Sequence, residues 1–333
     1  MTRTAPDQGK GTQRDHYVAM SRGQHSVAVF GPLLNLTITV ERIGEDGPDD
    51  IHIHPGGQGF WVARMLRHLG ERPLLCAPVG GETGRALRGL IGEWGIDLSP
   101  VKIEGRSPSY VHDRRSGDRL VIAENEPPSL GRHEVDDLYG VFLDHALAAG
   151  VCVITGQPSE IVPWEFYRRL GTDLDAAGIR VVGDLHGAGL TAFLEGGPIH
   201  LLKVSDEDVQ EDGLIQGSGE RDVSAAIERL RESGAVDVVV SRGEQPALAA
   251  WSKRMYRVTG PSMEPADHRG AGDSMTAGLA ASLIRGSTPE ESLRLACAAG
   301  AANVTRHGLG SATEDLIAQL AMKVEIEVMD GSA

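Results

Sequence analysis

The segment of the chain best suited to chemistry is Asp267–Leu283, DHRGAGDSMTAGLAASL. Three small residues, Gly270, Ala271 and Gly272, come directly before a stretch of small residues that predicts a helix. Backbone N–H groups at such a helix start are free to face an anion, and the helix dipole adds partial positive charge there. Asp273 lies at the mouth of this anion site, where a carboxylate would ordinarily repel a bound anion.

A carboxylate beside an anion site suggests a group-transfer reaction. It can accept a proton from an attacking hydroxyl while the N–H groups stabilise the charge on a transferring phosphoryl group. The alternative is structural, since an N-capping aspartate next to a glycine turn requires no reaction. The residues of this segment alone leave both interpretations open.

Composition excludes several classes of protein. Of the 333 residues 41% are hydrophobic and 24% charged, as in a globular domain with a core, and the net charge is −15. An acidic surface repels phosphate backbones and anionic lipids, so we expect neither nucleic acid nor a membrane as partner. There is no apolar run of membrane-spanning length, no signal-peptide pattern, and no metal or disulfide spacing among three distant cysteines. A cytoplasmic location is therefore expected.

The elements that must position the reactive segment follow from hydrophobic patterning. Short apolar runs predict buried parallel strands, and the segments between them carry helical periodicity. The predicted strands of this kind are Val27–Phe30, Pro73–Val79, Val151–Thr155, Ile179–Asp184, Ile199–Lys203 and Val236–Ser241. Alternating strands and helices predict a parallel sheet covered on both faces, with ligands at the carboxyl ends of the strands.

Two further segments, at about 36–55 and 100–126, consist of short alternating runs with charged turns. They predict a small sheet of exposed strands that projects from the main body as a lid. Residues 1–24 are polar and aperiodic and predict a flexible extension. The expected division is thus an extension over 1–24, one folded domain over 25–325 and a tail over 326–333.

Two separated signatures resemble those of the ribokinase / phosphofructokinase-B family of sugar kinases. GAGDSMTAGL, followed by a second predicted helix at Pro289–Val304, resembles the C-terminal signature. GGQGFWVARMLRHLG, at Gly56–Gly70, resembles the family's GG-x-G-x-N-x-A-x-x-L-x-x-LG. Landmarks between and before them fall in the family's order: GPLLN at 31–35, ENEPP at 124–128, ITGQP at 154–158, LLKVSDED at 201–208 and SRG at 241–243.

The resemblance spans about residues 26–312 and is closest to the branch that acts on fructose 1- or 6-phosphate and tagatose 6-phosphate. It implies a ribokinase-like three-layer α/β/α sandwich with a mostly parallel central sheet and a small β-sheet lid. It also implies transfer of the γ-phosphate of ATP to a sugar hydroxyl with Mg²⁺, and a homodimer formed through the lid, as in many relatives.

Site residues carried over from the resemblance fall into four groups. Asp273 matches the catalytic base, and Gly270, Ala271 and Gly272 match the anion hole for the γ-phosphate. Asp208 stands where a glutamate usually helps organise Mg²⁺ through water, and Asp267 matches an aspartate that in some members helps bind a monovalent cation such as K⁺. The positions that match nucleotide-binding residues are Lys203, Ser205, Ser241, Gly243 and Asn303. Those that match acceptor-binding residues are Asn35, Gly56, Gly57, Gln58 and Trp61.

The acceptor side departs from the family pattern. Gln58 and Trp61 replace the lysine and asparagine of GGKGxN, and Ser107–Tyr110 replaces a Thr-Arg-x-Asn segment, so both cations expected to bind a substrate phosphate are missing. Asn35 replaces an aspartate that grips sugar hydroxyls. A neutral acceptor suits these residues better than a phosphosugar, although nearby arginines could supply the missing charge: Arg64, Arg106, Arg114, Arg115 and Arg119.

Two other functions remain open from the sequence. In a nucleoside kinase of the same fold, Trp61 would stack on the base. A non-catalytic nucleotide- or sugar-binding regulator would account for the altered acceptor residues, although such a protein has no need of Asp273. An NAD-dependent oxidoreductase is excluded, because no G-x-G-x-x-G joins a first strand to a helix with an acidic residue about 20 positions on.

Overall fold

A computed structural model describes residues 25–44, 47–117, 119–156, 161–263, 269–305, 310 and 312–329. The predicted extension at 1–24 and Asp267 lie outside these residues. None of the helices in the described part of the chain is long and apolar enough to cross a membrane.

Fourteen strands form two sheets in the described part of the chain. The ten strands of the large sheet are β1 (Val27–Phe30), β4 (Pro73–Val79), β5 (Asp97–Lys102), β8 (Val151–Thr155), β9 (Arg180–Asp184), β10 (Ile199–Ser205), β11 (Ala235–Arg242), β12 (Gln245–Trp251), β13 (Arg254–Thr259) and β14 (Glu325–Met329). The four strands of the small sheet, here called the lid, are β2 (Asn35–Arg42), β3 (Asp49–Gly56), β6 (Ser109–Asp113) and β7 (Leu120–Asn125).

The same part of the chain contains ten helices. They are α1 (Gln58–His68), α2 (Gly81–Glu93), α3 (Arg132–Ala149), α4 (Trp164–Ala176), α5 (Gly187–Gly196), α6 (Asp206–Glu211), α7 (Glu220–Glu232), α8 (Ala271–Arg285), α9 (Pro289–Val304) and α10 (Glu314–Ala321).

The large sheet runs in the order β14-β13-β12-β11-β10-β9-β8-β1-β4-β5. The seven strands from β5 to β11 are parallel to one another, and β12, β13 and β14 extend the sheet with antiparallel pairs. Because the parallel strands all end at one edge, the residues that follow β1, β8, β9 and β10 come together there.

Side chains of alternate residues in β1 enter two separate hydrophobic clusters, one on each face of the sheet. Val27 and Val29 pack with residues of α1, α8 and α9, whereas Ala28 and Phe30 pack with residues of α3, α4 and α7. Burial on both faces explains why β1 is a continuous apolar run rather than an alternating one. The predicted three-layer α/β/α fold with a mostly parallel sheet is confirmed.

Two predicted boundaries are wrong. The second lid segment was expected to begin at about residue 100, but residues 97–102 form β5, which pairs with β4 at the edge of the large sheet. Residues 326–333 were expected to be a tail, yet 325–329 form β14, which pairs with β13. Both are half-exposed edge strands, whose alternating pattern resembles that of exposed segments.

The packing of α8 against α9 fixes the helix that carries the reactive segment. A Cβ atom added to Gly278 would lie 2.7 Å from the Cα of Ala296, so the two backbones approach too closely for any side chain at this point. The surrounding positions are small and buried, including Ala277, Ala281 and Ala299. The row of small residues in the sequence therefore permits a close helix pair beneath the site.

We expect Gly278→Ala to lower the free energy of unfolding by about 1–3 kcal/mol, because overpacking outweighs the better helix propensity of alanine. Gly140→Ala is the matched control, since Gly140 is an exposed position in α3 with nothing within 4 Å of an added Cβ. That variant should gain about 0.5–1 kcal/mol from helix propensity alone. Urea unfolding of both measures the difference, and equal effects would contradict the close approach of α8 and α9.

Candidate functional site

The start of α8 faces the edge where the parallel strands end. Gly270 caps the helix with φ 74° and ψ 2°, a left-handed conformation that favours glycine. Because glycine has no side chain to accept a hydrogen bond from the first N–H groups, these donors stay available for a ligand. The helix is 15 residues long, so its dipole adds to their attraction for an anion.

A buried lysine lies directly beneath this helix start. The side chain of Lys203, in β10, is 7% exposed, and its Nζ lies 3.5 Å from Oδ1 of Asp184, the last residue of β9. A Cβ atom added to Gly272 would lie only 2.5 Å from that Nζ. Gly272 therefore leaves room for the ammonium group next to the start of α8.

The carboxylate of Asp184 also accepts a hydrogen bond from the hydroxyl of Thr276, at 2.7 Å. Thr276 lies one turn into α8, so this bond joins the helix to the edge of the sheet. Burial disfavours the charged form of Lys203, but the negative charges of Asp184, Asp273 and Asp208 outweigh it and raise the pKa of the lysine. The ammonium group consequently stays charged.

Asp273 lies in the first turn of α8 and is partly buried. Burial and the negative charge of Asp184 raise its pKa to about 7, against the opposing effects of Lys203 and a hydrogen bond from the side chain of Gln58. A carboxyl group with this pKa can take up and release a proton near neutral pH.

Gln58, a predicted acceptor-binding residue, is the first residue of α1. Its side-chain oxygen accepts a hydrogen bond from the backbone N–H of Gly156, at 2.6 Å, just beyond the end of β8. The structure thus brings Gln58, Lys203, Asp184 and Asp273 together near the carboxyl ends of the parallel strands. The start of α8 lies at the same place.

Ser205 and Asp208, two of the predicted nucleotide and Mg²⁺ positions, cap α6 reciprocally. The backbone N–H of Asp208 donates to Oγ of Ser205 at 3.1 Å, and the N–H of Ser205 donates to Oδ2 of Asp208 at 2.8 Å. The other carboxylate oxygen, Oδ1, lies 3.9 Å from Nε2 of His186. One oxygen of Asp208 therefore serves the helix cap, and the other faces the loop after β9.

The remaining predicted nucleotide residues lie in β11, in the turn after it and in α9. Gly243 forms the turn between β11 and β12 with φ 56°, next to open space, and the hydroxyl of Ser241 donates to the carbonyl of Val204 at 3.4 Å. Asn303 is fully buried; its amide donates to the carbonyl of Arg269 and accepts from the N–H of Gly310, both at 2.6 Å. A nucleotide contact by Asn303 does not fit this placement, because the amide bridges two backbone segments inside the protein.

The predicted acceptor residues Asn35, Gly56 and Gly57 lie where the lid meets the large sheet. Among the residues that the structure describes, Oδ1 of Asn35 and Oγ1 of Thr37 are buried without a hydrogen-bond partner. A side chain at Gly56 would collide with both of these atoms. Gly57 has φ 109° and lies against the backbone of Leu33, so it admits only glycine. Two buried oxygen atoms thus lack a hydrogen-bond partner at the point where the lid meets the large sheet.

One face of the lid, here called the polar face, carries Thr37 beside His54 and Tyr110, and Thr39 beside His112. The hydroxyl of Thr39 lies 3.0 Å from Nε2 of His112. Burial, with the positive charge of nearby arginines, lowers the pKa of His112 to about 4, so its ring is neutral at neutral pH. The polar face therefore combines hydroxyl and neutral imidazole groups.

Trp61, which was predicted to offer a stacking surface, is almost fully buried in α1. Its ring lies 5.9 Å from that of His54, and the guanidinium of Arg64 lies 5.8 Å from its centroid. The polar face thus turns toward α1.

The arginines that could replace the missing cations are engaged with protein groups. Arg106 pairs with Glu82, Arg114 with Glu41, and Arg115 with Asp49 and Asp113. Arg64 lies over the ring of Trp94 at 3.8 Å, and Arg119 over that of Tyr110 at 4.9 Å. Arg119 is exposed and directly precedes β7, and its partner Tyr110 lies on the polar face.

Asp184 and Thr276 are two residues of the site that were not predicted from the sequence. Asp184 ends a predicted strand, and the rule that ligands bind at the carboxyl ends of parallel strands could have drawn attention to it. No sequence signal predicts that Thr276 reaches Asp184, because the two residues are 92 positions apart.

A carboxyl group whose pKa is higher in the folded protein than in the unfolded chain lowers the free energy of unfolding once it ionises. The pKa of Asp273 is about 7 in the folded protein against 3.8 in the unfolded chain, so the folded state binds the proton more tightly. Stability is therefore lost as pH rises from about 4 to 7, and the loss is complete above pH 7.

We accordingly expect Asp273→Asn to be more stable than the original chain at pH 8 and equally stable near pH 4. A pKa unit corresponds to about 1.4 kcal/mol, and the remaining solvent contact of Asp273 reduces the total, so the gain should be about 1–2 kcal/mol. Urea unfolding at both pH values measures it. A gain of the same size at pH 4 would show that ionisation is not its cause.

Comparison with known proteins places these features in a family. A model described as the pfkB family of carbohydrate kinases matches residues 24–316. The ATP-dependent 6-phosphofructokinase isozyme 2 of Escherichia coli is 30% identical over 266 residues, 78% of this chain and 85% of that protein. The 1-phosphofructokinase of Bacillus subtilis is 27% identical over 281 residues, 82% of this chain and 88% of that protein.

Among solved structures, the phosphofructokinase-2 of Escherichia coli in complex with potassium superposes with a TM-score of 0.80 at 26% identity, over 90% of this chain and 99% of that one. The resemblance inferred from the two signatures is therefore confirmed. Since the family model covers most of the chain, this protein belongs to the pfkB family of carbohydrate kinases.

Proposed function

We propose that this protein transfers the γ-phosphate of ATP to a hydroxyl group of a small carbohydrate, either a free sugar or a phosphosugar. The observation that supports this most directly is Asp273, a carboxyl group with a pKa of about 7 in the first turn of α8, beside the buried Lys203. A base that titrates near neutral pH, next to donors that attract an anion, suits phosphoryl transfer.

The residues present fit a bound nucleotide and metal ion. The start of α8 offers uncapped N–H groups, and Gly272 lacks the side chain that would separate them from Lys203. In the described part of the chain no three carboxylate, histidine or cysteine side chains form a metal cluster. Mg²⁺ commonly binds through one or two carboxylates, waters and substrate phosphates, and Asp208 has one carboxylate oxygen free of the helix cap.

In the proposed mechanism Asp273 accepts the proton of the acceptor hydroxyl. The N–H groups of Gly270, Ala271 and Gly272 stabilise negative charge on the transferring group, and the ammonium of Lys203 adds charge from below. Mg²⁺, when bound, neutralises charge on the nucleotide phosphates. Asn35 and Thr37 would hold other hydroxyls of the acceptor, since their oxygen atoms lack partners within the protein. Asp267 as part of a K⁺ site remains a prediction, outside the described residues.

Asp273→Asn should reduce turnover by at least about 10³-fold, because an amide cannot accept the proton. ATP affinity should change little, as the helix start and Lys203 are kept. Coupled ADP release measures turnover and calorimetry measures ATP binding. Asp137→Asn, at an exposed position in α3, is the matched control. Substantial turnover by Asp273→Asn would overturn the role of Asp273 as base.

A panel of acceptors tests the substrate class. ADP release should be accelerated by a member of the free sugars or the phosphosugars. Acceleration by nucleosides alone would replace the proposal with a nucleoside kinase, in which Trp61 contacts the base. Binding of ATP or sugar without acceleration by any acceptor would instead identify a non-catalytic regulator.

We further propose that two copies associate through the lid. The face opposite the polar face is apolar: Ile53 pairs with Ile38 and Ile38 with Val111, while Ile51 pairs with Val40. Ile51, Ile53 and Leu120 are 62%, 53% and 62% exposed in the single chain. Large apolar side chains exposed side by side on a sheet commonly mark a protein interface, and a second copy offers a matching face.

Ile53→Glu should convert a dimer into a monomer, because it would bury a charge in the paired lids. Sedimentation velocity measures the change in mass. Met322→Glu is the control, since Met322 is an apolar residue that is even more exposed, at 80%, and lies outside the lid. An unchanged dimer in Ile53→Glu, or a monomeric original chain, would contradict association through this face.

A further inference from the structure

We propose that Nε2 of His186 and Oδ1 of Asp208 together accept hydrogen bonds from the hydration shell of the divalent cation that binds with ATP. The proposal rests on the proposed function, which places that cation near Asp208. It adds to the metal site a residue, His186, that lies in neither of the two signatures.

The ring of His186 lies between two carboxylates. His186 follows β9 and directly precedes α5, while Asp208 and Asp212 lie one helical turn apart, in α6 and directly after it. Nδ1 lies 3.4 Å from Oδ1 of Asp212, and Nε2 lies 3.9 Å from Oδ1 of Asp208. The histidine side chain is only 16% exposed, so these two carboxylates are a large part of what its nitrogen atoms face.

The partners of Asp212 determine which ring nitrogen carries the proton. Oδ2 of Asp212 accepts a hydrogen bond from the backbone N–H of Gly187, at 2.7 Å. Oδ1 of the same carboxylate faces Nδ1 of His186, and an ionised carboxylate can only accept, so Nδ1 is the donor. In a neutral imidazole the other nitrogen is then an acceptor. Nε2 therefore presents a lone pair toward Asp208.

The lone pair of Nε2 has no donor within the protein. In the part of the chain that the structure describes, Nε2 of His186 is buried without a hydrogen-bond partner. It faces Oδ1 of Asp208, which is also an acceptor, at a distance too long for a hydrogen bond. Buried polar groups are normally satisfied by protein or by ordered water. This pair of acceptors therefore calls for a ligand that donates to both atoms.

A water molecule coordinated to a divalent cation meets this requirement. It has two O–H groups to donate, and Mg²⁺ usually keeps several of its waters when it binds to a protein. The carboxylate of Asp208 is 27% exposed, and its other oxygen, Oδ2, is held by the N–H of Ser205 at 2.8 Å. Ser205 ends β10, the strand of Lys203. The pair thus lies at the edge of the sheet where the nucleotide phosphates are proposed to bind.

Asp212→Asn tests the lone pair of Nε2 without removing the ring. The N–H of Gly187 needs an oxygen to accept its hydrogen bond, so the NH₂ group of the amide must face Nδ1 of His186. Nδ1 then becomes the acceptor and the ring proton moves to Nε2, which can no longer accept. The tautomer is measured by ¹⁵N NMR of labelled histidine, with His186→Phe to assign the signal. We expect the proton on Nδ1 in the original chain and on Nε2 in Asp212→Asn.

Metal affinity is measured with Mn²⁺ as the probe, by electron paramagnetic resonance in the presence of ADP and without any acceptor. We expect Asp212→Asn and His186→Phe each to weaken Mn²⁺ binding by about 10-fold, as the loss of an outer-shell partner commonly does. The affinity for ADP without metal should not change. Asp137→Asn and His133→Phe, at exposed positions in α3, are the matched controls and should bind Mn²⁺ like the original chain.

Several results would overturn the proposal. Unchanged Mn²⁺ affinity in His186→Phe would do so, and with a lowered melting temperature it would show a merely structural role. A proton on Nε2 in the original chain would also do so, as would full Mn²⁺ affinity in Asp212→Asn after the proton has moved. The proposed kinase activity fails separately, if no acceptor accelerates ADP release, because the Mn²⁺ measurement requires no acceptor.

Discussion

The buried ammonium of Lys203 is the constraint on which the site depends. Removing a charged group from water is costly unless opposite charges and hydrogen bonds compensate. Here the compensation comes from different elements, with Asp184 at the end of β9 and Asp273 at the start of α8. The lysine can stay buried and charged only while these elements remain together, so the position of α8 over the sheet and the electrostatics of the site have a common origin.

Burial first, and then the negative charge of Asp184, explain why Asp273 is a weaker acid than an ordinary aspartate. The lysine stabilises one buried carboxylate well, and a second one beside it must compete for that charge. A folded domain optimised for stability alone would avoid such a group. Its retention beside an uncapped helix start is typical of sites where function is kept at the expense of stability.

Much of the fold was predictable because its signals are local. Continuous apolar runs reveal strands buried on both faces, and the glycine turn before α8 reveals the start of a helix by its own residues. The edge strands were harder to predict. Polar and apolar residues alternate in β5 and β14 as they do in exposed segments, and only the pairing with β4 and β13 shows that both strands belong to the large sheet.

Individual residues of the site could be predicted from the sequence, but the contacts between their side chains could not. Lys203, Asp273 and Gln58 could be singled out by motif, but their mutual orientation depends on tertiary structure. Asp184 belongs to neither of the two signatures, and its partners Lys203 and Thr276 come from two other elements. The amide of Gln58 could not be oriented from the sequence, because its oxygen bonds a backbone group 98 positions away.

The lid joins two distant stretches of chain, and this has a consequence for how the protein folds. Strand β2 pairs in parallel with β6, so Thr37 lies beside Tyr110, while α1, β4, α2 and β5 occupy the chain between them. Contacts so distant in sequence carry a large loop-closure cost and form late unless intervening structure brings the ends together. Folding of α1, β4, α2 and β5 is therefore what brings β2 and β6 together and completes the polar face of the lid.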